Sequence, residues 1–196
     1  MARPNHDHRY LAALQDYYAR HRLIPSYSVI SELLGFSAKN AAAALVGRLE
    51  EAGYLTRTSA DRRLTPTARF FERPRSVVAV RAGLPEVAFD TSADMVNVDS
   101  LLVQKPSQTF LVPVMGDSMC EIGLMDGDTA VCERRQQAKV GEIVVALTSE
   151  GLTIKTLQKE GGRYVLKPEN KHYPVLRPDP LEIVGVVTGS FRSYRR

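Results

Sequence analysis

The sequence of 196 residues contains little cysteine and no long apolar segment. Its two cysteines, Cys120 and Cys132, form no Cys-x-x-Cys pair and are too few for a disulfide scaffold, so we expect free thiols in a reducing compartment. No run of about 18 apolar residues occurs, and the first residues lack the apolar segment of a secretory signal. These absences exclude the membrane-spanning and disulfide-rich classes and predict a soluble cytoplasmic protein with no membrane partner.

Histidine is also scarce, with only four in the chain: His6, His8, His21 and His172. The first three fall in a helical region and the fourth lies in a polar turn, which disfavours a Ser-His-Asp triad. A metal site at His6-Asp7-His8 is disfavoured as well, because no further ligands are nearby. We therefore expect neither a metal nor another cofactor.

The positive charge is concentrated at one end of the chain. Residues 1–75 hold 12 Lys and Arg against 7 Asp and Glu, a balance of +5, whereas residues 76–196 hold 14 against 15, a balance of −1. This asymmetry favours an N-terminal module that faces a polyanion such as nucleic acid.

Apolar residues recur at helical spacing over residues 8–53. Ser26 is placed to cap a second helix that Gly35 would end, and Ser37 to cap a third helix that would end at Gly53.

Two short strand-like pieces follow, at residues 54–57 and 63–65, around a polar turn. Three helices before a basic hairpin is the layout of a winged helix-turn-helix, whose third helix enters the major groove of DNA while cations of the wing contact phosphate. The alternative is a small helical bundle with an ordinary solvated face.

Charged, irregular sequence from Thr67 to Pro74 is typical of a hinge, and beyond it the apolar period becomes two. The sequence predicts an α+β protein, with a winged helix-turn-helix domain at 1–66, a hinge at 67–76 and a mostly antiparallel, barrel-like β domain at 77–196. The predicted strands are 109–114, 129–135, 142–148, 152–159, 163–167 and 183–191.

Ser118 is the candidate nucleophile of the β domain. It follows an apolar strand, and the preceding Gly116 allows the sharp turn that brings a backbone N–H near a developing oxyanion. A serine hydroxyl reacts only when a base removes its proton.

Lys155 is the candidate base. An exposed lysine has a pKa of about 10.4 and is charged at neutral pH, whereas burial lowers that pKa and makes a neutral amine available. The alternative is a strand lysine whose amine reaches solvent.

Several segments resemble the LexA-type repressors and their serine peptidase relatives, in the order that this family has them. Val114-Met115-Gly116-Asp117-Ser118-Met119 with 122–128 resembles the nucleophile region, and 142–146 with 153–157 resembles the strand that carries the lysine base. Residues 80–85 resemble the self-cleavage site, and 166–170 and 183–187 also fit. Leu34-Gly35-Phe36 and Asn40-Ala41-Ala42 resemble the DNA-binding region.

The resemblance implies a self-cleaving serine peptidase in which residues 77–196 form the peptidase and dimerisation domain. The cleavage loop, 80–86, would enter the cleft of its own domain, where Ser118 attacks the carbonyl of Ala82 with Lys155 as base and the Ala82–Gly83 bond is cut. It further implies a bacterial, nucleoid-associated homodimer on double-stranded operator DNA that represses DNA-damage (SOS) genes. RecA filaments on single-stranded DNA would favour the cleavage-competent conformation.

The DNA-reading region departs from the family pattern. LexA-type proteins typically carry serine two residues before the Asn-Ala-Ala and two glutamates after it, where this chain has Ala38, Ala43 and Ala44. Asn40 can still contact adenine and Ala41 a thymine methyl, so we expect a divergent operator. The candidate DNA contacts are Ser26, Ala38, Lys39, Asn40, Ala41, Ala43, Ala44, Arg48, Arg62 and Arg63.

Other functions share the peptidase domain. A UmuD-like mutagenesis factor lacks the full winged helix, a signal-peptidase-type enzyme has a membrane segment, and a binding module with an inert dyad would not need the Ser118, Lys155 and Ala82–Gly83 found here. A phage-derived or paralogous repressor with its own operator stays open.

Overall fold

The fold is described from a computed structural model, which covers residues 7–38, 40–75 and 94–194. The chain divides into two compact units, Met1–Val98 and Asp99–Arg196, each with its own hydrophobic core. The first unit begins with helices and the second is mostly antiparallel sheet, so the predicted α+β class is confirmed. The exact limits of the predicted hinge and domains stay predictions.

Three helices begin the first unit: α1 spans Asp7–His21, α2 spans Tyr27–Leu34 and α3 spans Ala41–Glu51. Gly35 ends α2 as predicted, at a φ of 68° that glycine adopts without the steric cost of a Cβ atom.

One predicted helix cap lies at the expected position without its hydrogen bond, and the other is misplaced. Ser26 stands at the start of α2, but its hydroxyl makes no capping hydrogen bond and instead lies 2.9 Å from the hydroxyl of Ser28. Helix α3 begins at Ala41 rather than directly after Ser37, because a hydrogen bond from the Ala41 N–H to the Ala38 carbonyl, 3.1 Å long, closes a turn before the helix.

The core of the first unit forms where the apolar faces of the helices meet. Helix α3 turns Ala42, Leu45, Val46 and Leu49 inward, as its sequence pattern predicts, and all four are buried. Burying one leucine in this way contributes about 1.5–3 kcal/mol relative to leaving it in water. The same cluster contains Leu11, Leu14, Ile30, Leu55 and Phe70.

A two-stranded hairpin follows the helices. Strand β1, Leu55–Arg57, pairs antiparallel with β2, Leu64–Pro66, around the polar turn expected from the sequence. Among the described residues, this unit therefore has three helices followed by a two-stranded hairpin, and its assignment as a winged helix-turn-helix stays a prediction.

The stretch after the hairpin is more regular than its composition predicts. Residues Ala68–Phe71 form a 3-10 turn, and β3, Arg73–Arg75, pairs antiparallel with β4, Asp94–Val96. Phe70 explains the difference, because its buried ring anchors this stretch to the helical core. Residues 76–93, which include the predicted cleavage loop, lie outside the described residues.

One six-stranded antiparallel sheet dominates the second unit, with the spatial order β5-β6-β10-β7-β8-β9. A short helix, α4, at Val98–Leu102 precedes it. All six strands were predicted, with bounds that differ by two residues at most. They are β5 (Thr109–Pro113), β6 (Thr129–Glu133), β7 (Ile143–Thr148), β8 (Gly151–Glu160), β9 (Arg163–Lys167) and β10 (Glu182–Phe191).

The pairing of these strands does not close a barrel in the described part of the chain. Strands β5 and β9 each pair along one side only, so the sheet has two edges and the predicted barrel-like closure is not seen. Buried side chains cover both faces, with Val145 in one apolar cluster and Val144 and Ala146 in another. Strand β8 lies between β7 and β9, which fixes its backbone on both sides.

Gly185 allows β10 to approach β6 closely where the register of β10 shifts. A Cβ atom at this position would lie 2.7 Å from the Glu133 carbonyl and 2.8 Å from the ring of Phe110. Neither the backbone nor a packed ring can yield at low cost.

We expect Gly185→Ala to lower the free energy of unfolding of the second unit by about 1–3 kcal/mol, the cost of overpacking a core. Urea unfolding followed by circular dichroism measures this change. Gly189→Ala in the same strand is the matched control, since its Cβ would lie 3.4 Å from the flexible side chain of Leu102. Equal stability of the two variants would contradict the close-approach explanation.

Candidate active site

Ser118 lies in a loop that leaves the sheet after β5 and returns to it before β6. Two backbone hydrogen bonds between its ends close the loop, from Val114 N–H to the Asp128 carbonyl at 2.8 Å and from Gly127 N–H to the Val114 carbonyl at 3.0 Å. Inside it, Gly116 has a φ of 83°, and its N–H donates to the carboxylate of Asp126 at 2.7 Å. The loop is thus fixed by its own hydrogen bonds on the approach to the serine.

The structure brings the two predicted catalytic residues into direct contact. Lys155, from β8, places its Nζ atom 2.9 Å from the Oγ atom of Ser118. The same amine donates to the hydroxyl of Thr153 at 3.0 Å and to the carbonyl of Ile154 at 2.9 Å. Three acceptors of fixed position therefore hold the amine against the serine.

Burial changes the acid–base chemistry of Lys155. Only 7% of the residue is exposed, and the described residues include no carboxylate in an ion pair with it. Removal from water penalises the charged amine and lowers the pKa of Lys155 below its ordinary value of 10.5. A neutral amine beside a serine hydroxyl can accept the hydroxyl proton.

A cleft of about 250 Å³ opens beside the pair. Its walls come from the residues around Ser118 and from strand β8, and two large apolar side chains on its lining are exposed, Met115 at 89% and Leu152 at 64%. Such a cleft can accept a short extended segment with small side chains at the bond to be cut. The predicted scissile residues, Ala82 and Gly83, lie outside the described residues.

The chain is similar to known peptidases and repressors. The family model described as Peptidase S24-like matches residues 76–188, more than half of the chain. The LexA repressor of Clostridium perfringens is 31% identical over 87% of both chains. The LexA repressors of Clostridium novyi, over 87% of this chain, and Bacillus mycoides, over 86%, are each 32% identical, and the match covers 87% of each relative.

The chain belongs to the LexA repressor family. Its residues 76–188 are a peptidase domain of the S24 type. Within the described ranges, no group of three or more metal-ligating side chains occurs, and no helix is long and apolar enough to cross a membrane.

Two residues that were not predicted from the sequence, Asn170 and Tyr173, contact the Ser118 loop. Asn170 donates from its side-chain amide to the carbonyl of Asp117 at 3.0 Å, and the Tyr173 hydroxyl donates to the Asp117 carboxylate. Asn170 falls within the resembling segment 166–170, but its contact with Asp117 spans 53 residues and leaves no local pattern in the sequence.

The predicted DNA contacts lie on the first unit, most of them exposed. Asn40 stands at the start of α3, Ala41 is half-buried, and Lys39 lies outside the described residues. The exposed candidates are Ser26, Ala38, Asn40, Ala43, Ala44, Arg48, Arg62 and Arg63, the last two at the turn of the hairpin.

One of these cations already has an acidic partner. Arg48, on α3, forms two hydrogen bonds with the carboxylate of Asp7, at 2.8 and 2.9 Å. The pair lies at the surface, so a phosphate can compete for the guanidinium at low cost.

An ion pair between the buried Asp128 and the exposed Arg192 anchors the base of the Ser118 loop. Both carboxylate oxygens of Asp128 accept from the guanidinium of Arg192, one of them at 2.8 Å, and the Met125 N–H donates to the same carboxylate at 2.8 Å. These donors, led by Arg192, lower the pKa of Asp128 from 3.8 to about 2.

We expect Asp128→Asn to destabilise the second unit at neutral pH, because the variant leaves Arg192 without its counter-charge. The wild-type carboxylate stabilises the fold above its ordinary pKa of 3.8 and loses that contribution as the pH falls through about 2. Urea unfolding at a series of pH values should therefore show a constant difference in the free energy of unfolding between the two proteins above pH 3.8. The difference should shrink as the pH falls from 3.8 to about 2. A difference that does not change with pH in this window would contradict the assignment.

Proposed function

We propose that this chain is a LexA-type transcriptional repressor that inactivates itself by cutting its Ala82–Gly83 bond. In this proposal Ser118 is the nucleophile and Lys155 the general base. The observation that carries the proposal is the 2.9 Å contact between the Lys155 amine and the Ser118 hydroxyl in a site that lowers the pKa of the lysine.

The reaction begins when neutral Lys155 takes the proton of the Ser118 hydroxyl. The Oγ atom attacks the carbonyl carbon of Ala82, and backbone N–H groups of the Ser118 loop stabilise the resulting oxyanion. The Lys155 ammonium then gives its proton to the Gly83 nitrogen, the peptide bond breaks, and Ala82 remains as an ester on Ser118. Water, deprotonated by the same amine, hydrolyses the ester and restores both side chains.

Thr153 supports this role for Lys155. Its hydroxyl oxygen accepts a hydrogen bond from the amine, which limits the amine to positions from which it reaches Ser118. A fixed amine is a better base than a mobile one, because less conformational entropy is lost in the transition state.

The repressor part of the proposal rests on the first unit. Its exposed α3 surface and arginine-bearing hairpin suit a helix in the major groove and a wing on phosphate, and the charge of +5 over residues 1–75 favours DNA. Two copies would read the half-sites of a roughly palindromic operator in the bacterial cytoplasm. RecA filaments on single-stranded DNA would trigger cleavage, and DNA-damage (SOS) genes would be the regulated set.

A variant of this proposal is a paralogous or phage-type repressor with its own operator. The observation that favours it is the pair of exposed alanines, Ala43 and Ala44, on α3. A methyl group neither accepts nor donates a hydrogen bond, so the bases that face these positions are read differently from those that a glutamate would contact.

The purified full chain should cut itself at alkaline pH into fragments 1–82 and 83–196, which mass spectrometry identifies. The rate should rise with pH and reach half its maximum below pH 10.5, because burial lowers the pKa of Lys155 and only the neutral amine is a base. Ser118→Ala and Lys155→Ala should each abolish cleavage. Lys159→Ala, which removes an exposed lysine from the same strand, should leave it unchanged.

An uncut wild type, or cleavage that survives Ser118→Ala, would disprove self-cleavage by this pair. RecA filaments on single-stranded DNA are then added near neutral pH, where they should accelerate cleavage of the wild type and leave Ser118→Ala intact. Equal rates with and without the filaments would contradict RecA dependence and leave the proposal of self-cleavage unaffected.

Selection from a random DNA duplex pool should recover one palindromic motif. Asn40→Ala should lose discrimination at one base pair of each half-site, worth about 1–3 kcal/mol for a bidentate contact. Replacing Arg62 and Arg63 with alanine should weaken binding to all sequences alike and flatten its salt dependence. Arg163→Ala, which removes an exposed arginine in β9, should bind as the wild type does. Failure to enrich any motif would contradict sequence-specific repression.

A further inference from the structure

The turn at residues 169–173 is attached directly to the segment that carries Ser118. The backbone N–H of Glu121 donates to the Glu169 carbonyl at 2.9 Å, and the N–H of Lys171 donates to the Glu121 carboxylate at 3.1 Å. Asn170, between them, is 5% exposed, so its side chain is buried against the Ser118 loop. This turn lies outside the strand that supplies the general base.

The Asp117 carbonyl accepts two hydrogen bonds, one of them from the Asn170 amide. Asp117 O accepts from the Asn170 side chain at 3.0 Å and from the Cys120 N–H at 3.1 Å. A carbonyl oxygen has two lone pairs, so both are occupied. The orientation of this carbonyl is therefore set by two donors that come from different parts of the chain.

The Asp117 carbonyl and the Ser118 N–H belong to the same peptide unit. That unit is planar, and in its trans form the N–H points opposite to the C=O. A donor that fixes the Asp117 oxygen therefore also fixes the direction of the Ser118 N–H. Within the described ranges, this N–H donates to no protein acceptor, so it is available to a group bound in the cleft.

We propose that Asn170 is a positioning residue that aims the Ser118 N–H at the oxyanion of the cleavage reaction, an inference that rests on the proposed self-cleavage by Ser118. Donors that stabilise an oxyanion act only when they already point at the place where charge develops. Asn170 fixes the peptide unit at its carbonyl end, opposite the Ser118 N–H, and does not itself touch the substrate.

Other contacts of the turn distinguish the effect of Asn170 on the Asp117 carbonyl from a general stabilisation of the Ser118 loop. The Asn170 side-chain oxygen accepts from the His172 N–H at 3.0 Å, which fixes the amide so that its nitrogen faces Asp117. The Tyr173 hydroxyl donates to the Asp117 carboxylate, a group outside the 117–118 peptide plane, to which the Asn170 amide also donates at 3.3 Å. The Tyr173 N–H donates to the Asn170 carbonyl at 3.1 Å, a bond that a phenylalanine keeps. Removal of the Tyr173 hydroxyl therefore leaves both donors to the Asp117 carbonyl in place.

The test measures the full pH profile of self-cleavage in the full chain. Asn170→Ala should lower the plateau rate at alkaline pH by roughly tenfold to a hundredfold, somewhat less than the loss of an oxyanion donor itself. The midpoint of the profile, which reports the titration of Lys155, should stay where it is in the wild type. Arg177→Ala is the control, because it removes an exposed side chain from the same segment after β9, one that pairs with Glu160 and not with Asp117 or Asn170, and it should cleave at the wild-type rate.

Asn170→Asp is the second variant, for use if the alanine variant fails to fold. It keeps the shape of the side chain but, when ionised, has no N–H to donate, so the plateau rate should fall in the same way. Tyr173→Phe should reduce the plateau less than either. A plateau within about twofold of the wild type in a folded Asn170 variant, or a midpoint that moves toward pH 10.5, would overturn the proposal. Failure of the wild type itself to cleave would instead disprove the proposed function.

Discussion

Burial of the Lys155 amine is the constraint that the second unit has to satisfy, because an ammonium removed from water loses hydration that hydrogen bonds only partly replace. The fold meets it by placing the lysine on β8, whose backbone pairs with β7 on one side and β9 on the other. Strand position alone does not bury the amine, because Lys159 on the same strand is exposed. The Lys155 amine is buried where β8 faces the Ser118 loop, with the serine hydroxyl 2.9 Å away, so it cannot reach solvent as most lysines do.

The nucleophile needs the same rigidity, and three separate contacts provide it. Asp126 holds Gly116 before the serine, Asn170 holds the peptide unit of the serine itself, and the ion pair of Asp128 with Arg192 fixes the point at which the loop rejoins the sheet. The partners come from the loop, from the segment after β9 and from the segment after β10. A serine constrained from three directions can keep its geometry while a substrate segment enters and leaves the cleft.

The features that could be predicted from the sequence are those with a local cause. Alternation of apolar residues located all six strands of the sheet, and Gly35 located the end of α2, because side-chain burial and positive φ act within a few residues. The start of α3 was misplaced, since a turn competes with the helix after Ser37. The pairing of Asp128 with Arg192 was not predicted, because 64 residues separate the partners and only the folded chain brings them together.

The three acceptors around the Lys155 amine determine how the hydrogen bonds of the site differ between the protonated and the neutral amine. An ammonium has three N–H donors, one each for Ser118, Thr153 and Ile154, so the protonated site is complete and its serine hydroxyl is an acceptor. The neutral amine has two N–H donors and one lone pair. With Thr153 and Ile154 still served, that lone pair faces Ser118 and the hydroxyl must donate. Loss of a single proton thus reverses the direction of the hydrogen bond between Lys155 and Ser118. The serine hydroxyl changes from an acceptor to a donor whose proton the amine can take, without any movement of the backbone.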